Sequence, residues 1–262
     1  MNDSIFQIHC QDGIRVQGEY PFMSRIRRIY FARLIGRIFI LLLSIILFFT
    51  KPEVFAPLEG MRFFDGVGLL HFLWIIWMID MIAQLVPIQK DLSIGSLKVF
   101  ARHFRPIREK IHPQAIKAHI KAATKAAFWV LVLWCALIAA IGALHTADVL
   151  TDVHLFLITV VFYVCDLICV LIWCPFRLMM KNRCCTTCRI FNWDHLMMFS
   201  PMIFVPSFYA WSLFLMSLLV FLIWESCILV HPERFWDKTN AALQCANCTD
   251  KLCTQYCQKL RR

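Results

Sequence analysis

Charge is scarce in this chain. Only 17% of its 262 residues are Asp, Glu, Lys or Arg while 60% are hydrophobic, and soluble globular domains hold about a quarter charged residues. Acids are the scarcer sign, 17 against 27 Lys and Arg, which leaves a formal charge of +10. There is no Gly-rich phosphate loop, no nucleophile elbow and no hydrolase triad, so soluble nucleotide and hydrolase chemistry are not supported. No internal repeat or low-complexity tract is visible, which excludes a tandem array. The first apolar run begins near Leu34, behind Arg25, Arg27, Arg28 and Arg33, and no small-residue cleavage site follows it. The first span is therefore expected to remain as an anchor.

What the chain does have is apolar runs of about span length, the pattern of a bilayer protein rather than of one large soluble core. The expected fold is an all-α polytopic transmembrane bundle. Residues 1–33 read as a cytosolic segment, and residues 21–37 as a basic interfacial helix whose arginines sit among lipid phosphates while Phe22, Ile26, Ile29 and Tyr30 enter the interface. Spans are expected over 34–50, 67–88, 126–144 and 155–173. The uncharged stretch 196–230, broken only by Glu225, is too long for one straight span at 1.5 Å per residue. It resolves into a short fifth span at 190–205 and a sixth at 209–230, turning at Pro206 and Ser207; a five-span arrangement with an interfacial helix is the alternative. A Cys-rich tail, 231–262, closes the chain.

Sidedness follows from the basic residues. The 89–125 link is rich in Lys and Arg and belongs inside. Its residues Lys117, Lys121 and Lys125 form a stripe on one helical face, with Pro113 suited to that helix's first turn. The 145–154 link has two aspartates and no Lys or Arg, so it belongs outside. Because the basic residues lie between apolar runs, the expected partners are anionic lipid headgroups and possible other membrane subunits, with no nucleic acid. Most tryptophans suit aromatic belts.

Apart from Cys10, the 13 cysteines fall into two populations. Cys135, Cys165, Cys169, Cys174 and Cys227 lie in or beside apolar runs, where a thiol is a small hydrophobe. Cys184, Cys185, Cys188, Cys245, Cys248, Cys253 and Cys257 lie in polar segments. Cys185-Thr186-Thr187-Cys188 and Cys245-Ala246-Asn247-Cys248 are CxxC pairs, the spacing by which two turns offer four thiolates to one zinc. An iron-sulfur cluster held mainly by the tail is an alternative, although the spacing lacks the usual run of two-residue gaps. Disulfides or unligated thiols also remain open.

Inside the expected spans, Asp80 with Gln84 and Asp166 with Cys169 sit at helical spacing and similar depth. Carboxylates there are expensive and often functional. They could bind a cation, relay protons or contact a quinone, or each could be protonated and bonded to a neighbouring helix. Glu225 reads as an interfacial residue. His71, His145 and His154 fall near the outer span ends, where two imidazoles could ligate haem b or a transition metal; hydrogen bonding is the commoner role for interfacial histidines.

The run Cys185-Thr186-Thr187-Cys188-Arg189-Ile190-Phe191-Asn192-Trp193-Asp194, with His231-Pro232-Glu233-Arg234-Phe235 and Cys245-Ala246-Asn247-Cys248, resembles multispan membrane proteins of anaerobic bacteria to which no activity is attached. The resemblance covers the last third of the chain. It implies a bacterial inner-membrane location and carries over no functional residue. The functional expectation is a thiolate-ligated metal centre, zinc or iron-sulfur, in a redox or metal-sensing membrane subunit. The alternatives are a metal-ion or small-solute transporter, and an anchor whose cysteines only staple the tail.

Overall fold

The computed structural model describes residues 25–85, 100–107, 112–181, 185–244 and 247, and every extended regular element among them is a helix. Four helices are long and apolar enough to cross a membrane. They are α1 (Arg25–Thr50), α3 (Pro113–Thr146), α4 (Asp152–Leu171) and α7 (Phe208–Val230). A shorter apolar helix, α2 (Leu69–Leu85), packs against α7, and the five-residue α5 (Phe176–Met180) follows α4.

Helix α1 shows how the chain treats lipid as its solvent. Ile35, Phe39, Leu42, Ile46 and Phe49 are exposed, and their spacing places them on one helical face. Tyr30, Leu34, Arg37 and Ser44 are buried on the opposite face, against α4. The basic segment and first span expected separately are thus one continuous helix. The same holds for α3. Pro113 occupies its first turn, and the His112 ring caps it by accepting the Gln114 N–H at 3.4 Å. Its 34 residues extend about 51 Å, well beyond a hydrocarbon core of about 30 Å. The exposed Lys117, Lys121 and Lys125 stripe accordingly rides on the overhanging end.

The stretch expected to be a fifth span is a broken ramp. Arg189–Trp193 and Ser200–Phe204 are 3-10 turns on either side of α6 (Asp194–Phe199). Pro201 has no N–H to continue an α-helical ladder, consistent with the change of helix type there. The ramp runs antiparallel to α7: Trp193 packs on Phe221 at 5.5 Å, and the chain turns through Val205 and Ser207 into the start of α7. Gly142 of α3 permits close contact, because a β-carbon there would collide with the Phe204 ring.

One end of the bundle is closed by Pro52–Leu58 and Arg62–Phe64. Gly60, at φ +51°, bridges to Ser207 and accepts the Phe208 N–H at 3.0 Å. That left-handed backbone favours glycine. The Ser207 hydroxyl then caps α7 by accepting the Ala210 N–H at 3.2 Å. At the opposite end, the chain leaving α7 folds back onto residues 100–107. Ala241 N–H donates to the Arg105 carbonyl at 2.8 Å, Ile107 N–H donates to Thr239, and Trp236 stacks on His119 at 4.7 Å. Fully buried Asn240 clamps the joint: its Oδ1 accepts from Arg105 and Ala242 N–H, and its Nδ2 donates to the Arg234 carbonyl.

Between these ends lies an aromatic core centred on Trp77. Its ring lies 5.2 Å from Phe199, 5.6 Å from Tyr163 and 6.0 Å from Phe156. These side chains hold α2, α4 and α6 in contact immediately beside the polar residues described next.

Candidate intramembrane charge network

Counting along each helix from the closed end, Arg37 lies 13 residues from Thr50, Asp80 11 from Leu69, and Asp166 14 from Asp152. At 1.5 Å per residue these are depths of about 16–21 Å. The three side chains therefore share one level, deep among apolar walls.

There they join a continuous polar chain. Arg37 Nη1 donates to Asp166 Oδ2 at 2.7 Å and to the Tyr163 carbonyl at 2.6 Å, and its guanidinium lies 3.8 Å from the centre of the Tyr163 ring. Arg37 Nη2 stands 4.0 Å from Asp80 Oδ2. The same Asp80 oxygen faces His195 Nε2 at 3.4 Å, while His195 Nδ1 faces Asp194 Oδ1 at 3.2 Å. Gln84 Nε2 closes the series on Asp194 Oδ2 at 3.2 Å. The order is Gln84, Asp194, His195, Asp80, Arg37, Asp166, drawn from four helices.

Two consequences follow from elementary chemistry. An ionised carboxylate only accepts hydrogen bonds, and both imidazole nitrogens donate only in the protonated ring. His195 sits between two carboxyl groups, so a proton must be shared within the Asp80–His195–Asp194 unit. Moreover, three carboxylates face one guanidinium and one imidazole, leaving the cluster net negative unless it takes up a further proton. Uncompensated charge is costly at such depth. Asp80 is the open member: its side chain is 34% exposed, against 3% for His195.

Sequence reasoning found Asp80, Gln84 and Asp166 but missed their partners. Arg37 was expected among lipid phosphates with the other arginines; it points into the bundle instead. The signal was present, since Arg37 falls on the buried Tyr30, Leu34 and Ser44 face. Asp194 and His195 fall within the stretch expected as a short fifth span, where neither was singled out, and the ramp sets His195 against Asp80. Cys169, one helical turn from Asp166, also lies beside the Cys174 thiol.

Glu225 is also more than an interfacial side chain. Its carboxylate accepts from Arg189 Nη2 at 2.6 Å and Trp193 Nε1 at 2.8 Å, tying the ramp to α7.

Of the seven polar-segment cysteines, Cys185 and Cys188 lie on the 3-10 turn Cys185–Thr187 and its exit, with Cys188 N–H donating to the Cys185 carbonyl at 3.0 Å. Cys184, Cys245, Cys248, Cys253 and Cys257 lie outside the described residues. Among the described residues, no group of three or more His, Cys, Asp or Glu gathers as a metal site, and no disulfide joins two cysteines. His71, His145 and His154 hold loops. His71 accepts from Gly68 N–H and bonds the Phe63 carbonyl, His145 bonds Asp152 at 2.9 Å, and His154 accepts from Thr151 N–H in a capping box.

Cys174 lies just past α4. The hydrogen bond from Cys169, helped by the Phe176 and Arg177 N–H groups, draws its thiol down to about 6 against the opposing effect of burial. Its alkylation rate in detergent is therefore expected to rise through pH 6 and level off by pH 7, a break that Cys169→Ala moves upward. Site-resolved mass spectrometry of iodoacetamide-treated protein reads this; an ordinary thiol profile with no break below pH 8 contradicts it.

No known protein family, no curated protein and no solved structure matches the chain.

Proposed function

We propose that this chain is a proton-linked membrane transporter of a metal cation or small solute, with the Asp80–His195–Asp194 unit as its proton carrier. The observation that carries this reading is a buried imidazole between two carboxylates, joined through Arg37 to a third. Arg37 bridges Asp80 and Asp166, so a change in protonation on one side alters the attraction it feels from the other. Such a competition gives two arrangements whose balance depends on proton occupancy, which alternating access requires. The charge distribution supports six crossings: Lys117, Lys121, Arg177, Lys181, Arg234 and Lys238 flank one end, while Glu53, Glu59, Asp65, Asp148 and Asp152 gather at the other. Both termini and the tail are then cytoplasmic, in a bacterial inner membrane.

In proteoliposomes with an imposed pH gradient, uptake of a panel of divalent cations and small charged solutes is expected to be driven by the gradient. Asp80→Asn should lower it at least tenfold. Folded Asp80→Asn and His195→Gln variants with undiminished flux would sink the proposal.

The thiolate metal centre stands as a second reading, favoured by one observation. Thr187 and Cys188 share a cleft with Phe235, so the start of the tail is held beside the first CxxC turn. Asn247, which lies in sequence between Cys245 and Cys248, donates to the Ala241 carbonyl at 2.8 Å. Anaerobically purified protein is expected to hold zinc or iron that Cys185→Ser and Cys188→Ser together remove. Metal-free wild type with full flux counts against this centre and leaves the proton carrier standing.

A further inference from the structure

Two thiols meet where α4 ends. The Ile172 and Trp173 N–H groups both donate to the Ile168 carbonyl, at 2.8 and 3.0 Å. This double closure turns the chain back over the last helical turn, and the Cys174 thiol comes to lie beside that of Cys169. Pro175 has no N–H, so the next donors along the chain are those of Phe176 and Arg177 at the start of α5, and both face the Cys174 sulfur. Helix α5 in turn packs against α3.

The pair is within reach of solutes. The 20 residues of α4 extend about 30 Å, the thickness of a hydrocarbon core, so Cys174 lies at the water boundary and Cys169 just inside it. Both are half-buried, and Ile172, Trp173 and Pro175 around Cys174 are exposed. A thiolate held by backbone donors is the attacking group in thiol–disulfide exchange, and a second thiol beside it is placed to resolve the mixed disulfide. Cys174, its pKa drawn down to about 6, is ionised at neutral pH, while the hydrogen bond it receives requires that Cys169 keep its proton.

We propose that Cys174 and Cys169 form a redox-active dithiol that exchanges with small-molecule disulfides. The Cys174 thiolate attacks one sulfur of RSSR, forming a mixed disulfide and releasing RS⁻, which takes from water the proton that Cys174 had given up. Cys169 then attacks the Cys174 sulfur, its proton passing to the second RS⁻ as it leaves. The protein thiols are oxidised to a disulfide joining α4 to the entry of α5, and RSSR is reduced to two RSH. A thiol of low pKa is also a good leaving group, so a small thiol reverses the reaction readily. That suits a switch rather than a permanent staple, and none of it depends on the transport reading.

In the test, full-length protein in detergent is incubated with glutathione disulfide at pH 6.5, quenched in acid, alkylated and mapped by mass spectrometry. A Cys169–Cys174 disulfide is expected in the wild type and in Cys165→Ser, and reduced glutathione should return it to two thiols. Cys169→Ser should halt at a mixed disulfide of glutathione on Cys174. In Cys174→Ser, attack by Cys169 should be about fivefold slower than attack by Cys174 in Cys169→Ser, because the larger thiolate fraction outweighs a lower intrinsic nucleophilicity. The proposal is overturned if wild-type Cys174 stays unreacted or stops at the mixed disulfide, if Cys169 pairs with Cys165 instead, or if those two variants react at equal rates. The wild-type result needs no substitution, so it decides even where a variant fails to fold.

Discussion

Arg37→Met is expected to leave little folded protein, while Arg37→Met combined with Asp166→Leu restores a stable, inactive one. The single change strands Asp166, which bonds Arg37 at 2.7 Å and is only 19% exposed. Removing one partner of a buried pair costs about 3–5 kcal/mol, whereas apolar replacement of both is often neutral or stabilising. Asp80 keeps His195 as a partner in the double variant, so one carboxylate rather than two must be relieved. The lost cation–π contact with Tyr163 adds to the single variant's defect. Thermal unfolding of detergent-purified protein, read by size-exclusion fluorescence, separates the cases. A single variant as stable as wild type would show that the guanidinium is not compensating Asp166.

The second large effect is expected at Asn240. Asn240→Leu removes a fully buried amide and leaves the Arg105 and Ala242 N–H groups and the Arg234 carbonyl without their partner. These hydrogen bonds are partly buried, so each stranded group costs less than the ~1–3 kcal/mol of a fully buried one. Three lost together should still open the docked start of the tail about tenfold more often. Trypsin reports this, because Arg234 and Lys238 flank the clamp. Cleavage after these residues should accelerate by the same factor, while Asn240→Asp, which keeps the acceptor and loses the donor, falls between. Equal cleavage rates in folded wild type and Asn240→Leu would show that other contacts hold the tail.

Both predictions rest on residues that differed in how easily the sequence disclosed them. The long apolar helices were legible because lipid-facing side chains such as Phe39 and Leu42 follow the same hydrophobic rule as bundle-facing Leu34. That uniformity also hides helix rotation. An apolar face no longer marks the interior, so Asp80 and Asp166 announced their cost without naming their partners. Arg37 was obscured by Arg27, Arg28 and Arg33, which made it look like one more headgroup contact. His195 was harder still: the ramp changes helix type around α6, and no single period runs through it. Asn240 sits in a short polar stretch where only tertiary contact reveals its role, and the CxxC spacing is visible while the thiolates' assembly is not.

The Arg37–Asp166 pair is separated by 129 residues. At about 5–20 residues per second, on the order of ten seconds of synthesis pass between Arg37 and Asp166, its nearer counter-ion, whereas Asp80, at 4.0 Å, is made much sooner. An isolated arginine at a helix centre is unfavourable by about 2.5–3.5 kcal/mol on insertion scales. The 2.7 Å bond that neutralises Arg37 most directly therefore becomes available only once α4 has been made. The closest pairing of the first long helix is thus with a residue from far later in the chain, so this contact joins the early and late halves of the bundle.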